Sequence, residues 1–336
     1  MPRKTIRQAI RETLFFEMRR DPRVIVLGED IVGGTGTEGE LDCWGGPFGI
    51  TKGLIAEFGP ERVRDAPISE TAIIGAAAGA ALTGLRPVAE LMFSDFFGVC
   101  FDQLYNQAAK FRYMFGGKAR TPMVVRTTYG AGSRSASQHS QSPYAIFTHV
   151  PGLKVVMPTN AYDAKGLLLK AIRDDDPVIF MEHRRLYDME DEVPDEPYTI
   201  PFGEANIVHE GDDLTIVAIG RMVHFATQAA RNLAKTGTNC TVIDPRTTSP
   251  LDTDTILESV EETGRLLVVD EANPRCSVAT DICALVASEA FDALKGPVKM
   301  VTAPHSPVPY SPDLEELYIP SPERIEAAIK SMMERS

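Results

Sequence analysis

Basic residues are scarce in this chain: 34 lysines and arginines stand against 47 aspartates and glutamates, a formal net charge of −13. Nucleic acids and anionic membranes are gripped by clustered Lys and Arg. The basic clusters Arg19-Arg20 and Arg184-Arg185 lie beside acids, so no such partner is expected. Long apolar runs are lacking too. The stretch from Ile74 to Leu82 is almost all Gly and Ala, which are weakly apolar, and Glu70 sits at its edge; no membrane span is expected. Cysteine is sparse: five residues, an odd number, with no CxxC pair. The first twenty residues are too charged for a signal peptide, and together these points predict a reducing cytoplasm. HExxH, GxSxG and GxxxxGK[ST] are absent, and His149, His183, His209, His224 and His305 have no metal-ligand spacing. "YGAGSRS" carries GxG after a strand but lacks the third glycine and the later acid of a dinucleotide site.

What is present alternates. "RVIVLGED", "PVAELMF", "TPMVVRTT", "LKVVMP" and "DPVIFMEH" read as strands, with helices near 50–58, 70–83, 95–115 and 161–173. Thr5 and Gln8 read as a capping box, and Ile6, Ile10, Leu14 and Met18 make one helical face. Residues 184–203, acidic and proline-bearing, break the rhythm. A second alternating unit follows, with strands "DLTIVAIG", "CTVID", "RLLVVDE" and "PVKMVTAP" and helices at 222–236, 252–262, 276–292 and 322–334. The expectation is an α/β fold of two domains, residues 1–185 and 204–336, joined by a linker at 186–203. The first should be a mostly parallel sheet covered on both faces.

Ligands of such sheets sit beyond the carboxyl ends of the strands. That rule selects Glu29-Asp30, Ser69-Glu70, Ser94 to Phe97, the loop Tyr129 to Gln141, and Glu182-His183. Ser69 should cap, and Gly84 should stop, a helix beginning at Glu70. Glu70 has two readings: a first-turn acid favoured by the helix dipole, or a buried carboxylate able to hold a proton near neutral pH. The small residues after it predict close packing that would bury the helix start. His139 is either a solvated loop residue or an acid–base group. Phe96 and Phe97 read first as core aromatics. The Gly-rich stretch "IVGGTGTEGELDCWGGPFG" reads as an active-site or interface loop.

Taken together, "DAPISETAIIGAAAGAALTGLRPVAELMFSDF", "QHSQSPYAIFTHVPGLKVVMPTNAYDAKGLL" and "AIRDDDPVIFMEH" resemble the beta subunits of thiamine-diphosphate-dependent 2-oxo acid dehydrogenases. "KFRYMFGGK", "IPFGEANIVHEGDDLTIVAIGRMVH" and "VVDEANPRCSVATDI" resemble the acetoin-cleaving branch of that family. The resemblance implies a pyrimidine-binding domain followed by a transketolase-like C-terminal domain. It implies that Glu70 meets the pyrimidine ring nitrogen of thiamine diphosphate, that Phe96 stacks on that ring and that Glu29 lies near it. His139 would face the thiazolium and the small-molecule substrate. A potassium ion, held in some members, would involve Ala171, Asp174 and Asp176. The family's GDG…N motif for diphosphate and magnesium belongs to an alpha subunit, and this chain has no GDG. The implied state is an alpha-2-beta-2 heterotetramer that hands a two-carbon group to a lipoyl acyltransferase. Pyruvate or a branched-chain 2-oxo acid is the alternative substrate; a non-catalytic nucleotide-binding or electron-transfer subunit is the reading from another class.

Overall fold

The computed structural model describes residues 1–32 and 45–334. Contacts divide the chain into two compact units, residues 1–129 with 146–202, and residues 130–145 with 203 onward.

The first unit runs β1 (Arg3–Thr5), α1 (Ile6–Arg20), β2 (Val24–Glu29), α2 (Leu54–Phe58), β3 (Val63–Ala66), α3 (Glu70–Leu82), β4 (Arg86–Phe93), α4 (Phe111–Met114) and β5 (Val124–Tyr129). It continues after α5 (Tyr144–Thr148) with β6 (Lys154–Val156), α6 (Ala161–Arg173), β7 (Val178–His183) and β8 (Glu190–Glu192). The capping box forms: Thr5 Oγ1 accepts the Gln8 N–H at 3.1 Å, and the Gln8 side chain accepts the Thr5 N–H at 2.8 Å. Ile6, Ile10, Leu14 and Met18 are buried in one core with Leu167, Leu168 and Ile172 of α6. Six strands hydrogen-bond in the order β6-β7-β5-β4-β2-β3, all parallel. Alternation sends Val24, Val26 and Val88 into that core and Ile25, Leu27, Ala89 and Leu91 to the other face, so apolar side chains fill both sides.

The helix expected over 95–115 does not form as one piece. A 3-10 stretch (Ser94–Val99), a π-helical turn (Gln103–Ala108) and the short α4 replace it. Phe97 packs edge-on against Phe101 at 5.5 Å and Phe147 at 5.3 Å, and the chain winds tighter and then wider around these rings. The stretch expected as a linker is also structured through Phe202. β8 pairs antiparallel with β1, Lys4 Nζ reaches Asp195 at 2.7 Å, and Tyr198 stacks on Tyr162 at 4.5 Å. Gly166 makes room for this return, since a Cβ there would stand 2.7 Å from Ile200 Cγ1.

The second unit holds β9 (Asn206–His209), β10 (Leu214–Ala218), α7 (Met222–Ala234), β11 (Cys240–Asp244), β12 (Thr247–Ser249), α8 (Thr253–Thr263), β13 (Leu266–Asp270), α9 (Val278–Glu289), β14 (Lys299–Thr302), α10 (Pro312–Tyr318) and α11 (Pro322–Met333). Its sheet order is β14-β13-β10-β11-β9, parallel except for β9 at the edge. Asp252 caps α8, Ser277 makes a capping box on α9 and Ser321 caps α11. Leu214, Ile216, Leu267 and Val269 meet Ala226, Ala230 and Leu233 of α7 and Ile325 and Ile329 of α11.

β13 ends in the fully buried Asp270, which accepts the Tyr144 hydroxyl and, at 2.8 Å, the Ala272 N–H. Burial pushes its carboxyl up to about 6 against those two hydrogen bonds, and Glu271 adds to the rise. Unfolding lets this group release its proton at its ordinary value near 3.9. Its contribution is therefore complete below about pH 4 and is lost as pH rises through about 6, a change of about 3 kcal/mol. Asp270→Asn keeps the shape and removes the titration. Melting temperatures from pH 4 to 7 should show the wild type losing stability relative to the variant as pH rises. Parallel curves would show that Asp270 does not titrate in this window.

Candidate active site

The carboxyl edge of the first sheet collects acids. β2 ends at Glu29, Asp30 turns the chain with φ 54°, and β3 delivers Asp65 one residue before its end. Asp65 Oδ1 accepts the Ile31 N–H at 2.8 Å. Glu70 opens α3, half-buried, close enough to Glu29 for their charges to interact. Burial raises the Glu29 carboxyl, and Asp30, Glu70 and Asp65 raise it further. Asp65 is raised too, by burial against the pull of backbone N–H groups. Cys100, buried beside this group, has its thiol pushed up to about 12 by burial and then by the charge of Glu70. Asp65 and Cys100 were not among the expected site residues.

Ser69 stands at the cap position, but its hydroxyl donates to the Pro67 carbonyl at 2.8 Å rather than capping α3. Gly84 does end the helix region, with φ 100° and its N–H on Ala81. Ile73, Ile74, Ala77, Ala78 and Ala81 are buried, and α3 packs on β4 and β2. Ala72, Ala76 and Gly79 remain exposed. Within this chain the small residues therefore bury one face of the helix and leave its start half open. Thr71 Oγ1 donates to the Val99 carbonyl at 2.6 Å, tying the start of α3 to the 3-10 stretch that carries Phe96. Phe96 is half-buried and meets Phe93 edge-on at 5.6 Å, so it is not a core aromatic; Phe97, also half-buried, makes the inward ring contacts.

His139 belongs to the other unit. It ends a short 3-10 turn, Ser137–His139, and is half-buried. His183 is buried at the end of β7, 5.0 Å from the Tyr129 ring, and its Nδ1 accepts the Arg185 N–H at 3.2 Å. Residues 33–44 of the Gly-rich loop lie outside the described residues.

Beneath the acidic edge lies a buried ion network. Arg126 on β5 donates from Nε and Nη2 to Glu182 on β7 at 2.7 and 2.8 Å, and from Nη1 to Glu90 on β4 at 2.8 Å. The Tyr187 hydroxyl adds a bond to Glu182 at 2.6 Å. Burial alone would lower the guanidinium's pKa, yet Glu182 and Glu90 carry it above its ordinary value. Burial raises Glu90 in spite of Arg126. Glu90 pairs with Gly28, where a Cβ would stand 3.0 Å from the Glu90 Cβ. The network thus seats the strand that ends in Glu29. A signal was available: single charges of opposite sign interrupt the apolar strands "PVAELMF" and "PMVVRTT".

Four neighbouring carboxylates suit a ligand bearing donors or positive charge, such as an aminopyrimidine, and repel a diphosphate. Glu70 offers an acceptor for a ring nitrogen and Phe96 a half-buried aromatic ring, so these residues fit the pyrimidine end of the implied cofactor. The potassium residues fit less well. Asp174 Oδ1 takes Lys154 Nζ at 2.6 Å and Asp174 Oδ2 faces Lys170 at 3.3 Å, while Asp176 pairs with Arg112. The Ala171 carbonyl accepts the Asp174 N–H, and the Asp174 carbonyl accepts Arg86 at 2.8 Å. The side chains there are already neutralised by cations. Among the described residues no cluster of His, Cys, Asp and Glu could hold a metal, and no helix is long and apolar enough to cross a membrane.

Residues 3–190 match the family model described as transketolase, pyrimidine binding domain, and residues 203–325 match transketolase, C-terminal domain. The acetoin:2,6-dichlorophenolindophenol oxidoreductase subunit beta of Cupriavidus necator is 62% identical over 99% of this chain and 98% of its own. The Bacillus subtilis protein of the same description is 57% identical over 94% and 93%. The 2-oxoisovalerate dehydrogenase subunit beta of Bacillus subtilis is 43% identical over 95% of each. Among solved structures, a split gene transketolase described as an inactive beta4 tetramer aligns with TM-score 0.77 over 98% of both chains at 22% identity, a likeness of fold.

Arg126→Met would leave Glu90 and Glu182 buried without their cation. The expected loss is about 3–5 kcal/mol, and it should shrink at acidic pH, where Glu90, already raised by burial, can take up a proton. Thermal unfolding at pH 5 and pH 8 reads both; an unchanged melting temperature would mean the network does not hold the sheet.

Proposed function

The chain belongs to the transketolase-like family of acetoin and 2-oxo acid dehydrogenase beta subunits, and from that premise we propose that it is the beta subunit of a thiamine-diphosphate-dependent acetoin dehydrogenase. When bound, thiamine diphosphate supplies the nucleophilic carbon that cleaves the carbon–carbon bond of acetoin, releasing acetaldehyde. Glu70 hydrogen-bonds the pyrimidine ring nitrogen and exchanges a proton with it. Phe96 offers its face for offset stacking. Glu29, raised by burial and acidic neighbours, reinforces the preference for a protonated or donor-bearing ring. His139 holds or moves a proton on the substrate. An alpha subunit completes the site with magnesium and the diphosphate cradle, giving an alpha-2-beta-2 heterotetramer, and the two-carbon hydroxyethyl fragment passes to the lipoyl disulfide of an acyltransferase, which takes its two electrons as the S–S bond breaks and leaves it as an acetyl thioester beside a free thiol.

The observation that carries the half-site reading is the crowd of acids around Glu70, which suits one end of the cofactor and not the other. Acetoin is favoured over pyruvate and branched-chain 2-oxo acids by identity: 62% and 57% to the acetoin relatives against 43% and 44% to the others. Co-expression with the alpha partner tests both points. The complex should turn over acetoin with a kcat/KM roughly tenfold or more above pyruvate or 2-oxoisovalerate, and the lone chain should be inactive. Activity without a partner, or a preference for pyruvate, would overturn the corresponding part.

Glu70 and His139 should fail differently in that complex. Glu70→Gln, nearly isosteric but unable to exchange a proton with the ring, should slow deuterium exchange at the thiazolium carbon by about 10²-fold or more. His139→Ala should leave that exchange nearly normal and slow turnover by roughly 10²- to 10⁴-fold. Normal exchange in the Gln variant would return Glu70 to the status of a first-turn acid.

A further inference from the structure

The segment 130–145, which carries His139, groups with the second unit. Its backbone is unusual. Gly130, Gly132, Arg134 and Ala136 have φ of 95°, 100°, 54° and 60°, so every second residue turns to the left-handed side. Ala136, with ψ −176°, occupies a region that is essentially glycine's own. Such a conformation persists only where neighbours impose it. The turns also aim the N–H groups of Gly132 and Arg134 at a common point, as in an anion nest.

Glu315 occupies that point. It lies on α10 and is 2% exposed, whereas its neighbours Leu314 and Leu317 are exposed. Its Oε1 accepts the Gly132 N–H at 2.8 Å and its Oε2 accepts the Arg134 N–H at 3.1 Å. Further anchors from the same unit flank the histidine. The Ser137 hydroxyl donates to the Val308 carbonyl at 2.7 Å, Ser142 donates to Glu271 at 2.9 Å, and Tyr144 donates to Asp270. The His139 N–H itself points back to the strained Ala136 carbonyl.

We propose that Glu315 is a positioning residue: its buried carboxylate clamps the nest of Gly132 and Arg134, holds Ala136 in its strained turn and so fixes the backbone that presents His139. The C-terminal domain then contributes to turnover through this clamp. The inference rests on the reading of His139 as the group acting on substrate.

A double-mutant cycle in the co-expressed complex tests it. Glu315→Ala should lower kcat by roughly 10- to 100-fold, the scale of an ångström-sized misplacement, with KM and thiazolium proton exchange nearly unchanged. Glu315→Gln, which keeps one acceptor oxygen, should fall between, and it carries the test if the Ala variant does not assemble. In a His139→Ala background either substitution should cost less than about twofold more. An equal loss with and without His139, a loss of proton exchange, or full turnover in the Glu315 variants would each overturn the clamp. Full turnover in His139→Ala alone would instead overturn the role given to His139, a separate outcome.

Discussion

One guanidinium in the middle of the first sheet faces two carboxylates on the strands either side of it. Arg126 joins Glu90 on β4 to Glu182 on β7, and all three are buried. A single cation cannot neutralise both acids fully, and burial leaves Glu90 raised. Such a group fixes register, because any slip would strand a charge in the apolar interior. Glu90 is also seated against Gly28, one residue before Glu29. The position of the acidic edge is thus set by a network that takes no part in the chemistry proposed for it.

Acids at the edge itself are held together at a cost. Burial is the larger cause of the rise in Glu29 and Asp65; repulsion adds to it, from Asp30, Glu70 and Asp65 at Glu29 and from Asp30 at Asp65. A fold has no need of such crowding; the role proposed for this edge, sharing a proton with a basic ring, does. The same crowding makes the edge a poor place for phosphate, in keeping with the half-site proposed above. The exposed face of small residues on α3 leaves Glu70 half open in this chain.

The second unit adds a different kind of constraint. Its interior is ordinary, with Leu, Ile and Val of the strands against Ala and Ile of the helices. At the end of β13, however, Asp270 and Glu271 are buried, and Glu315 is buried on α10. All three accept from the segment that carries His139. Acceptors placed in the interior thereby hold a backbone that its own residues would not choose.

Much of this was legible in residue order. Periodicity located the main strands and most helices, because apolar alternation is a local property of the chain. The small-residue stretch marked α3, and strand ends pointed to Glu29, Glu70, Phe96 and His139. The family could be read from contiguous motifs. Four features could not. The break-up of 95–115 depends on rings meeting Phe147 from far along the chain. The folding of 186–202 onto the first unit depends on β1. The pairing of Arg126 with Glu90 and Glu182 needs strands that are distant in sequence and adjacent in the sheet. The hold of Glu315 on Gly132 and Arg134 spans more than half the chain. Sequence by itself determined most of the elements and the chemistry available at their ends; only the tertiary structure decided which charges share a neighbourhood, because electrostatic and hydrogen-bond partners are chosen by distance in space.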